Sequence, residues 1–177
     1  MRGGEPDDRA VKARVLTEGT SEGDLLGFYV LRSIPQWIGE QKIVDAGDAR
    51  LKPFVEAELE KSRAALGVSA NVLGSANDWF RWYLDLNVKP LGADFVTEEV
   101  GPLADGRFAT NRIGHAISRA RDSHLHQLIV NHLNAGESVL VVYGASHLMI
   151  QRPALDAALG RPCYVGADLK HAAAMCS

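Results

Sequence analysis

Cysteine is nearly absent. Cys163 and Cys176 are the two in 177 residues, and no CxxC spacing relates them. That pattern supports neither a zinc ribbon nor a disulfide framework, and it suits a reducing compartment. No apolar run is long enough for a membrane span, so none is expected. The start, Met1-Arg2-Gly3-Gly4-Glu5-Pro6-Asp7-Asp8, lacks an apolar core of signal-peptide type, so a cytoplasmic location is expected. Basic charge is not in excess either. Net charge is −3 and the pI about 6.1, so nucleic acid is not an expected partner. No HExxH, internal repeat or low-complexity tract occurs.

What is present reads as one ordinary globular domain over 1–177. With 46% hydrophobic and 23% charged residues, it can bury a real core. The organising stretch is Glu137–Leu159. Val139-Leu140-Val141-Val142-Tyr143 is an unbroken apolar run and predicts a strand over 138–143 covered on both faces. Gly144 ends it, Ala145 and Ser146 are small, and His147 follows. A polar group just past the carboxyl end of a buried strand lies where open α/β sheets bind ligands. Pro153 suits the first turn of a helix, Gly160 its C-terminal stop, and Pro162 blocks continuation.

Upstream, Asp7 or Asp8 is placed to cap a short helix ended by Gly19. The apolar segment 24–38 predicts a buried helix kinked or split at Pro35, with Arg32 in need of a partner. A wetter helix is expected over about 49–66, with Glu56, Glu58, Glu60 and Lys61 outward and Gly67 as its stop. Trp79, Phe80, Trp82 and Tyr83 read as core or helix–helix contact, with the floor of a pocket as the alternative. Residues 88–110 read as loop, with a short strand at 93–97. The fold class expected is α/β: four to six helices and a small, mainly parallel sheet, with a second strand at Cys163–Gly166.

Asn111 is expected to cap a long helix ended by Asn134-Ala135-Gly136. Stepping about 100° per residue from Ile113 puts Ala116, Ile117, Ala120, Leu125 and Leu128 on one apolar face. Arg121 and His124 fall within that face; His115, Arg119 and His126 fall opposite. A charge on a core-facing stripe must be paired, hydrated or lining a cavity, so an ion pair and a site role both stay open. His132 faces inward near the helix end, where snorkelling or a dipole contact is expected.

Around His147 three readings compete. A nucleophile elbow would put Ser146 at its apex, with Asp168 and His171 in the right chain order, but position 148 is Leu where the motif has Gly. His147 could instead be a metal ligand or general base at the sheet's rim, with Arg121 holding an anionic group and Glu5, His124 or Glu137 as further ligands. The bland alternative is a capping or structural histidine.

Arg119-Ala-Arg121-Asp122-Ser-His124, followed by the apolar run and Gly144-Ala-Ser-His147, resembles the C-terminal signature of the superfamily joining TraB, Tiki, ChaN-like and erythromycin-esterase-like proteins. The resemblance covers about 111–166, and Gly3-Gly4-Glu5-Pro6 more weakly. The family's earlier GxxH or GExH element has no counterpart before residue 144, which implies a relative lacking the N-terminal half of the fold, or ligands drawn from elsewhere. The resemblance implies a hydrolase-like site for an ester or amide, assisted by a divalent metal. In it His147 is ligand or base, Arg121 an anion or oxyanion partner, His124 an auxiliary, Gly144 and Ser146 substrate contacts, and Glu5 a second metal ligand. Two alternatives stay open: a non-catalytic haem, iron or small-molecule binder, and a scaffold without a site. The unbroken apolar strand without gatekeepers predicts a homodimer.

Overall fold

The computed structural model describes residues 7–142 and 145–160. Its elements are helices: α1 (Asp8–Thr17), α2 (Glu22–Leu31), α3 (Ile34–Gly39), α4 (Leu51–Leu66), α5 (Ala76–Asn87), α6 (Ala109–Asn134) and α7 (Ala145–Leu159), with one 3-10 turn at Thr97–Val100. No strand occurs among the described residues, and the fold is all-α. The expectation of an α/β fold with a parallel sheet is therefore corrected, and so is that of four to six helices. The expected second strand at Cys163–Gly166 lies outside the described residues.

The expected strand over 138–143 is irregular backbone as far as it is described. The reason is physical. Strand propensity measures fit to a neighbouring pleated surface, and no backbone hydrogen bond joins residues 138–142 to another described residue. Leu140 and Val142 stand 89% and 86% exposed, so the tract is not covered on both faces. Residues 93–97 likewise form a turn leading into the 3-10 segment rather than a strand.

The chain divides into two compact units, one of Pro6–Arg121, the other of Asp122–Ser177 with Met1–Glu5. In the first, local signals end the helices as the sequence predicts. Asp7 caps α1 by accepting from the Arg9 N–H, and Gly19 follows with φ +91°. Pro35 sits in the first turn of α3, so the apolar segment 24–38 is split into α2 and α3. Gly67 ends α4 in the left-handed region, and a reciprocal Ser75–Asp78 capping box starts α5.

The core of this unit is built from the buried faces of α2, α4 and α5, including Leu25, Leu26, Val55, Leu59, Trp79 and Tyr83. Trp79 donates its indole N–H to the Gly27 carbonyl at 3.0 Å, and a Cβ on Gly27 would lie 2.5 Å from the Trp82 ring. Helices α2 and α5 can approach this closely because position 27 has no side chain. Trp79 and Tyr83 are thus core, while Trp82 borders a surface hollow. Arg32, expected inside, is exposed and lies over the Tyr29 ring at 3.8 Å. Glu56, expected outward, is half-buried and accepts from the Ala76 N–H at the start of α5.

Helix α6 begins at Ala109, two residues before the expected cap. Asn111 lies in its first turn, accepting from the Phe108 N–H and donating to the Glu98 and Gly101 carbonyls. Helix α7 begins at Ala145, so Pro153 lies inside it rather than in its first turn. Proline offers no N–H to the carbonyl four residues back. Gly160, at φ +82°, follows α7 as expected.

Candidate functional site

The second unit holds the polar arrangement with most chemical content. Asp122 is buried on α6, and its Oδ1 lies 2.7 Å from His147 Nδ1 on α7. The carboxylate can only accept, so Nδ1 carries the hydrogen. Gln151, one turn after His147 and 5% exposed, donates Nε2–H to the same Oδ1 at 3.3 Å. One carboxylate oxygen therefore orients two side chains spaced i, i+4 on a facing helix. Asp122 Oδ2 and Gln151 Oε1 are buried without a hydrogen-bond partner among the described residues.

His147 and Gln151 border a groove of about 320 Å³. Its remaining walls are aliphatic: Leu125, Ile129 and Leu133 from α6, Val139 and Val141 from the connecting segment, and Leu155 from α7. The apolar run that predicted a strand thus contributes alternate side chains to a groove wall. An apolar cleft with a few convergent polar groups is the usual form of a small-molecule site.

The predicted site residues fare differently. His147 is at the groove. Arg121 is largely buried in the first unit, where its Nη2 lies 3.2 Å from Asp8 Oδ1 and 3.3 Å from Tyr29 Oη. The ion pair foreseen as one of its two readings is therefore present. His124 is exposed rather than on the core-facing stripe. His126, expected opposite that stripe, is half-buried, with its Nδ1 buried and without a hydrogen-bond partner among the described residues. His132 bonds Glu137 at 2.8 Å across the end of α6. Ser146 lies in α7 with its side chain outside the described set, and Glu5, Gly144, Asp168 and His171 lie outside the described residues.

Asp122 and Gln151 escaped the sequence reading. A helical wheel phased on Ile113 turns Asp122 away from the apolar face. From residue 122 onward, however, α6 carries its own stripe of Asp122, Leu125, His126, Ile129 and Leu133, spaced by threes and fours. His147, Gln151, Leu155 and Leu159 repeat every fourth residue along α7. Reading α6 in two halves exposes Asp122, and the four-residue repeat of α7 exposes Gln151.

Metal and haem meet different tests. Among the described residues no group of three His, Cys, Asp or Glu side chains could hold a metal ion, so no step is routed through one. At about 30 Å³ per heavy atom, a scale set by liquid water, the groove holds about ten such atoms. A porphyrin carries far more. No helix among the described residues is long and apolar enough to cross a membrane. Comparison of the chain with protein-family models, with curated proteins and with solved structures gives no match.

Proposed function

We propose that the Asp122–His147 pair is the acid–base centre of a small hydrolase acting on an ester or amide with an aliphatic portion. The observation that carries this reading is the 2.7 Å bond from a buried carboxylate to a histidine that borders an apolar groove. With Nδ1 committed to Asp122, Nε2 is the nitrogen that exchanges protons with a bound molecule. In the reaction it takes a proton from a water whose oxygen attacks the carbonyl carbon. Asp122 stabilises the imidazolium that forms. Collapse of the tetrahedral intermediate breaks the carbon–oxygen or carbon–nitrogen bond, and the leaving group departs with the proton from Nε2. The groove holds the aliphatic part and keeps water from it.

The resemblance of the Gly144-Ala-Ser-His147 sequence motif to that of the TraB, Tiki and erythromycin-esterase-like superfamily supports the same chemistry from the sequence side. Arg121 and His124 have no assigned step here. The sparse cysteine usage supports a cytoplasmic setting, and exposed Leu140 and Val142 support a homodimer as its working form.

The test is a panel of aliphatic esters and amides assayed with wild type, His147→Ala and Asp122→Asn. Loss of the general base should lower kcat about 10²- to 10⁴-fold. Asp122→Asn should lower kcat with little change in KM. Rates unchanged in both variants would end the enzymatic reading, and a lowered melting temperature alone would make the pair a structural tie between α6 and α7.

A further inference from the structure

The first unit has a hollow of its own, of about 660 Å³, bordered by the α1–α2 connection and the first half of α6. Arg112, His115 and Arg119 line it from α6, and Leu86, Ile113 and Ala116 give it an apolar side. Stepping about 100° per residue puts Arg112, His115, Ala116 and Arg119 within one sector of about 100°, so the three basic side chains share a face. Both arginines are exposed and His115 is half-buried. None of the three makes a side-chain hydrogen bond or ion pair with another described residue.

Two carboxylates also border the hollow, and both are engaged. Glu18 accepts from Arg14 Nε at 3.2 Å. Asp24 accepts from the Trp82 indole N–H through Oδ1 and from the Ser21 hydroxyl through Oδ2. The acidic groups are thus spent within the chain, and the basic ones are not. Ala109, where the 26-residue α6 begins, lines the hollow too, so the positive end of the helix lies on the same wall. Two arginine forks, a ring N–H and a helix start form a donor set suited to phosphate oxygens.

We infer that this hollow binds a diphosphate carrying a short apolar group, with the phosphates along Arg112, His115 and Arg119 and the apolar group on Leu86, Ile113 and Ala116. The two arginines stand seven residues apart, a rise of about 10 Å. A single phosphate meets part of that row, and two joined phosphates reach along it. At about 30 Å³ per heavy atom the hollow has room for about twenty, of which a diphosphate takes under half. The remainder, on its aliphatic side, sets the character of the attached group. This site is separate from the Asp122–His147 pair and does not rest on the hydrolase reading.

Calorimetric titration of the whole protein at low salt tests it with four probes: geranyl diphosphate, pyrophosphate, orthophosphate and citrate. Wild type should bind pyrophosphate about tenfold tighter than orthophosphate or citrate. Geranyl diphosphate should bind about tenfold tighter again, through its apolar part. Arg112→Gln and Arg119→Gln should each weaken geranyl diphosphate about three- to tenfold. Lys52→Gln, at an exposed position that does not border the hollow, should leave it unchanged. Ala116→Leu, which crowds the apolar side, should bring geranyl diphosphate down toward pyrophosphate. Orthophosphate or citrate binding as well as pyrophosphate would reduce the face to a general attraction for anions and overturn the inference. So would geranyl diphosphate binding no better than pyrophosphate, an equal loss in Lys52→Gln, or no binding of any probe. If a variant lacks the helical circular dichroism of wild type, the wild-type ranking of the four probes decides alone.

Discussion

At the scale of single residues, the chain places its charged and hydroxyl groups by pairing them. Tyr83 is fully buried in the first unit, its hydroxyl bonded to Glu99, which is also buried and takes Lys89 Nζ at 3.2 Å. Burial pushes the Tyr83 phenol above its ordinary value of 10.0, and the Glu99 carboxylate adds to that. Tyr29 is raised for the same first reason, with its bond to Asp8 second. The sign follows. A phenol held neutral in the folded chain and free to ionise in the unfolded one contributes stability that is complete below about pH 10. That stability is lost as pH rises further, at up to about 1.4 kcal/mol per pH unit per tyrosine. Urea unfolding between about pH 9 and 11.5 should show the fall, and Tyr83→Phe should flatten it. An unchanged slope in the variant would contradict this. Such pairings are poorly legible in sequence because the partners are far apart along it: Arg121 was singled out from helical phase alone, but Asp8 could not be named as its partner.

At the scale of elements, local signals were read well wherever the backbone decides. Asp7 caps through its side-chain oxygen, Pro35 fixes its own φ, and Gly19, Gly67, Gly136 and Gly160 permit the positive φ at which a helix stops, all without help from elsewhere. Residues 139–142 of the apolar run form no strand, because strand formation is not a local property. It needs a partner for its N–H and C=O groups, and here Val139 and Val141 line a groove instead. Asp122 escapes a helical wheel phased on Ile113, because the apolar stripe of the second unit, with Leu125, Ile129 and Leu133, has a phase of its own. Helices α2 and α5 meet closely at Gly27. Gly27→Ala would help the helix intrinsically, but its Cβ would press on the Trp82 ring. The clash should dominate, for a net loss of about 1–3 kcal/mol as in other overpacked cores. A urea midpoint equal to or above that of wild type would show that the ring can move aside.

At the scale of the whole molecule, Leu140 and Val142 form an exposed aliphatic pair on the described surface. Two large aliphatics two residues apart, both more than four-fifths exposed, are unusual in a connection only a few residues long. Their neighbours Val139 and Val141 turn toward the groove, so burying Leu140 and Val142 against another molecule would also close one wall of the candidate site. A second copy offers the same two side chains, and a closed two-fold pair is the commonest way to satisfy a self-complementary patch. Such an interface has to reach about 1,000 Å² to be specific, which these residues supply only as the centre of a larger contact. Light scattering on wild type at tens of micromolar should give the mass of a dimer. Leu140→Lys with Val142→Lys should give that of a monomer, since two desolvated ammonium groups facing their copies cannot be paired. The double variant leaves Val139 and Val141 in place, so ligand binding in the groove should persist in the monomer at reduced affinity. A monomeric mass for wild type would remove the dimer, and with it the reason for these two side chains to stand in water.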